Sequence, residues 1–90
     1  MSASENEQIQ QIMQRFIDLA NTIKDEGIEP RMITVGLMRA SCVYSTYVVA
    51  GNEGGLNESG VEKVAEAYKQ QLAFIQQVKR QADEAGEVEQ

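Results

Sequence analysis

Residues 30–51 read PRMITVGLMRASCVYSTYVVAG, and the reading of this stretch decides the fold. Pro30 suits a first helical position, because the N–H it lacks would have no partner there. Gly51 can take the left-handed conformation that ends a helix. Between them Met32, Ile33, Val35, Leu37, Met38, Ala40, Val43, Tyr44, Tyr47 and Val48 cover most of the circumference. That is the pattern of a helix contacted on several sides. Residues 42–49 are rich in β-branched and aromatic types and, taken alone, also suit a strand. Strands rarely pass ten residues, and no turn signal interrupts residues 31–50, so the helix is the preferred reading.

A stretch this apolar must also be tested as a membrane span. Arg39 is the only charge from 32 to 50 and lies near the centre, where a cation costs about 2.5–3.5 kcal/mol on insertion scales. Thr34, Ser41, Ser45 and Thr46 add polarity, and no positive cluster flanks either end. We read the segment as a buried helix of a soluble protein.

Working outward, residues 4–26 carry Ile9, Ile12, Met13, Phe16, Ala20 and Ile23 at three- and four-residue steps, with Ile17 and Leu19 widening the stripe. Ser4 and Glu7 have the spacing of a capping box, and Gly27 supplies a stop. After the Gly51–Gly55 loop, a third helix is expected over 58–84. Ser59 with Glu62 offers one capping box; Asn57 as cap would instead let Leu56 staple onto Val61. Val61, Val64, Ala65, Tyr68, Leu72, Ile75 and Ala82 share one face, and the acidic end, residues 85–90, is expected to fray.

Composition narrows the function classes. The chain has 90 residues, one Pro, no Trp and no His, and is 42% hydrophobic and 24% charged, the profile of one globular domain. With 14 acidic against 8 basic residues, the net charge is −6. Basic residues stand singly except Lys79–Arg80, so no stripe exists to track phosphates, and an anionic membrane surface would repel the chain. The lone Cys42 fits a reducing compartment. The opening residues carry acid where a signal peptide needs a basic region and an apolar core. These features predict a cytoplasmic protein that binds neither nucleic acid nor membrane.

Four residues of the middle helix stand out as a possible interface or pocket: Arg39, Cys42, Tyr44 and Tyr47. A nucleophilic Cys42 thiolate would need a base or cation beside it; Arg39, one turn earlier, could supply the cation. The blander reading of Cys42, a small buried hydrophobe, is preferred. Arg39 either pairs with an acid on another helix, Asp18 being a candidate, or sits at a partner surface. The tyrosines are core residues with rim hydroxyls or interface anchors. Thr34, Ser41 and Ser45, with Gly36 and Ala40, give the helix two strips of small residues that suit ordinary packing or a dimer seam. Without His, an acid–base residue and the commonest metal ligand are missing, so no cofactor or metal site is expected. The loop over residues 51–58 gathers oxygens but lacks calcium-loop spacing, and its glycines lack the Lys and Thr of a phosphate loop.

The stretch RFIDLAN (residues 15–21), the apolar helix MITVGLMRASCVYSTYVVAG (32–51) and the pair Tyr68–Lys69 resemble a family of short bacterial helical proteins, a domain of unknown function. The likeness covers residues 9–75. It implies a helical, cytoplasmic bacterial protein and brings no activity with it.

The expected architecture is all-α, a single three-helix up-down-up bundle with the apolar helix in the middle. Two amphipathic helices leave part of an apolar middle helix uncovered, so a homodimer is expected. The leading functional expectation is a non-enzymatic interaction or structural protein that self-associates. The alternatives are a small-ligand binder with a cavity lined by Met38, Tyr44, Tyr47, Tyr68 and Phe74, and an enzyme centred on Cys42 and Arg39.

Overall fold

A computed structural model describes the backbone of residues 2–51 and 54–89 and the side chains of residues 2–51 and 54–85. Its elements are α1 (Ala3–Asp25), α2 (Pro30–Ala50) and α3 (Glu58–Glu89), with no strand among the described residues. Residues 42–49 are therefore helical. Their β-branched side chains continue a helix already nucleated upstream, and extending a helix is far easier than starting one.

Each helix end shows how local chemistry sets the boundary. Ser2, not Ser4, caps α1: its Oγ accepts from the Glu5 N–H at 3.2 Å and donates to Glu5 Oε1 at 3.2 Å. Ser2 and Glu5 repeat the spacing of Ser4 and Glu7, and the Ser2 half of a capping box forms, with the Glu5 carboxylate bonded to the Ser2 hydroxyl. At the other end the Glu26 N–H bonds to the Ile23 carbonyl at 3.0 Å and the Gly27 N–H to that of Lys24 at 2.9 Å. Gly27 then reverses the chain at φ 96°. A side chain there would be strained, although nothing would clash with it.

The Glu29 carbonyl opens α2 by accepting from the N–H groups of Met32 and Ile33 at 3.0 and 3.1 Å. Pro30 occupies the first helical position, as expected. Gly51, at φ 65°, closes the helix with its N–H on the Tyr47 carbonyl at 2.7 Å. Of the loop that follows, Asn52 and Glu53 lie outside the described residues.

Asn57 caps α3. Its Oδ1 accepts from the Gly60 N–H at 2.8 Å and from Ser59 Oγ at 3.0 Å. Ser59 therefore serves the cap rather than being it. Leu56 is half-buried and lies over the first turn: a Cβ at Gly60 would stand 3.3 Å from the Leu56 Cβ. α3 runs on to Glu89, past the end expected at 84. Ala82, Glu84 and Ala85 are strong helix formers, and one glycine, Gly86, costs only about 1 kcal/mol in a helix. Gln90 lies outside the described residues.

By its internal contacts the chain divides into two units, Met1–Val43 and Tyr44–Gln90, with the border inside α2. In the first, the half-buried residues are Ala20, Ile23 and Ile33, on the helix ends that flank the Gly27 reversal. In the second they are Ser45, Thr46, Ala50, Leu56, Gly60 and Val64, which flank the second connection. No side chain among the described residues is fully buried. The expectation of a buried α2 is corrected accordingly: none of its 21 residues is buried within the chain. The stripes that were expected to cover it, on α1 and α3, are themselves exposed.

Candidate interaction surface

The candidate surface is α2. Its second half, residues 42–50, carries no charge, and there Val43 and Tyr44 are 71% and 73% exposed and Val48 67%. All five aromatic residues of the chain, Phe16, Tyr44, Tyr47, Tyr68 and Phe74, are between 49% and 73% exposed. At about 200 Å² per ring, they alone present roughly 600 Å² of largely apolar surface. Each partner in a standard protein–protein interface buries about 800 Å². The aliphatic side chains of all three helices add to the aromatic area, so the exposed apolar surface exceeds what one interface of ordinary size needs. This area is spread over three helices, and apolar exposure on this scale argues for association.

Arg39 stands in this surface without an ion-pair partner among the described residues. The suggested pairing with Asp18 is not made. Asp18 Oδ1 instead accepts from Gln14 Nε2 at 2.9 Å, one turn away on the same helix. Arg39 is brought together with Arg31, Met32, Val35 and Gly36, which line an open groove of about 490 Å³. Sequence reasoning marked Arg39 and, in a small-residue strip, Gly36, and missed the other three as site residues. The signal was available: Arg31, Val35 and Arg39 are spaced by four and therefore form one row on the helix surface.

Cys42 is exposed, which corrects its reading as a small buried hydrophobe. It does not line the Arg31–Arg39 groove, and neither do Tyr44 and Tyr47. Met38, Tyr44, Tyr47, Tyr68 and Phe74 are each at least 46% exposed. Among the described residues no three His, Cys, Asp or Glu side chains converge as metal ligands would.

No family model matches the chain, and neither does any characterised protein or solved structure. What the surface can do is therefore argued from its own chemistry. It has apolar area in excess and two guanidinium groups on an otherwise uncharged helix. It offers no grouping of acid, base and nucleophile.

Proposed function

We propose that the chain is a small non-enzymatic interaction or structural protein that acts as a homodimer, with α2 as the main contact. The observation that carries this reading is that no residue of α2 is buried within the chain. Ninety residues bury only about 60% of the surface of the unfolded chain even in a compact domain, and association is the usual way for small domains to gain stability. A second copy brings the same apolar stripes, so a two-fold contact supplies both missing cover and a missing partner for those stripes. On this reading the up-down-up helical arrangement is completed when two copies meet, and the paired protein works in the cytoplasm. Sedimentation velocity tests it: a species of twice 10.0 kDa is expected at micromolar concentration, and a strict monomer would overturn it.

A second reading has an observation of its own. α2 has 21 residues, and an 18-residue stretch of it has a mean hydropathy of 1.3, long and apolar enough to cross a membrane. Against this stand Arg39 at mid-helix and the hydroxyls of Thr34, Ser41, Ser45 and Thr46. The Thr34 Oγ1 is accounted for locally, donating to the Pro30 carbonyl at 2.9 Å. The cost of Arg39 makes the soluble pair the preferred reading. Co-flotation of the purified chain with phosphatidylcholine vesicles, unaffected by high salt, would reverse the preference.

A further inference from the structure

The charges of the chain are not evenly spread. All 14 acidic residues lie outside α2, whose only charges are Arg31 and Arg39. This helix is a cationic element in a chain of net charge −6. The two arginines stand at the ends of the row Arg31–Val35–Arg39, and that row lines the open groove together with Met32 and Gly36.

The sequence contains one matching row of opposite sign. Glu58, Glu62 and Glu66 are spaced by four along the first turns of α3, and no other three acids in the chain share that spacing. All three side chains are exposed, and none has an ion-pair partner among the described residues. Residues eight apart on a helix are separated by about 12 Å along its axis, so the ends of the two rows are equally spaced. Rows of this kind are the ridges that interdigitate when helices pack on one another. Beside the acidic row run Val61 and Ala65, which are apolar like the Met32 and Val35 of the groove.

We infer that the Arg31–Arg39 groove of α2 receives the Glu58–Glu62–Glu66 face of α3 from a second copy. The inference rests on the self-association proposed above and assigns its contact. Two-fold symmetry produces the contact twice, α2 to the partner's α3 and the reverse. Arginine and carboxylate rows at the edge of an apolar contact fix its register and exclude like-charged alternatives. They also explain why the one strongly apolar helix keeps two cations in a groove.

Charge exchange tests this. One variant carries Arg31→Glu and Arg39→Glu; the other carries Glu62→Arg and Glu66→Arg, with Glu58 kept because a carboxylate favours a helix N-terminus. All substituted positions are exposed, and circular dichroism should show unchanged helix content in both. Each variant alone should pair at least roughly tenfold more weakly than the natural chain, by sedimentation, because like charges then face each other. A general effect of net charge cannot produce this result, since one variant becomes more acidic and the other less. Mixing the two variants should restore most of the pairing, since one contact of the mixed pair is the natural one and the other is complementary except at Glu58. If the natural chain pairs and the single variants pair equally well, this contact is wrong while self-association stands. If a chain carrying all four substitutions pairs but the mixture does not, the rows meet within one chain and the inference is overturned. A natural chain that never pairs removes both readings.

Discussion

α1 and α2 differ by only two residues in length, yet they distribute their apolar residues in opposite ways. On α1 they form one stripe, with Gln11, Gln14, Arg15 and Asp18 on the remainder. One neighbour satisfies such a helix. On α2 they reach nearly all round, and the polar interruptions are small hydroxyls and two arginines. Such a helix needs several neighbours. The chain supplies none that buries it. The comparison teaches that periodicity reports where a helix wants contact, while the extent of the apolar surface reports how many contacts it wants. Only the second quantity points beyond the single chain.

The sharpest way to break this contrast is to charge the all-round helix. Tyr44→Asp combined with Val48→Asp removes four apolar side chains per pair, at about 1.5–3 kcal/mol each. Sedimentation should then show monomer at micromolar concentration. A persistent dimer would mean that the second half of α2 is not in the contact. Next in size is Phe16→Ala on the one-sided helix. Phe16 is 56% exposed in the single chain; once covered, its truncation should cost about 3–5 kcal/mol in urea unfolding of the pair. A loss below about 1 kcal/mol would place the α1 stripe outside the assembled core.

The remaining two changes probe the connections and should be smaller. Gly27→Ala forces a side chain into the left-handed region and should cost about 1–2 kcal/mol, all of it conformational because nothing crowds the position. Asn57→Ala removes the cap of α3 and should cost about 1 kcal/mol. Both losses should appear in thermal unfolding whatever the concentration, unlike the change at Tyr44 and Val48, which acts through pairing.

The helices themselves were largely legible. Pro30, Gly27 and Gly51 are residues whose backbone chemistry leaves little choice: Pro30 and Gly51 bound α2 as read, and Gly27 follows the end of α1. The cap of α3 was legible only as two alternatives, Asn57 and Ser59. For α1 the reading took Ser4, although Ser2 has the same spacing to an acid, and which oxygen meets an N–H depends on a fraction of a turn. Burial was not legible. A sequence shows that Val43 and Tyr44 avoid water but not whether the cover comes from the same chain, because periodicity carries no information about distance partners. The Arg31–Arg39 groove was half legible, since Arg39 was marked as anomalous while Arg31 was not singled out.

The central claim is that α2 is covered by a second copy. Hydrogen exchange of the α2 amides, measured at two protein concentrations that straddle the pairing constant, tests it most directly. Protection across residues 34–50 should rise with concentration, while the first turn of α1 exchanges equally fast in both samples. Protection of α2 that is already complete in the monomer, and indifferent to concentration, would contradict the account.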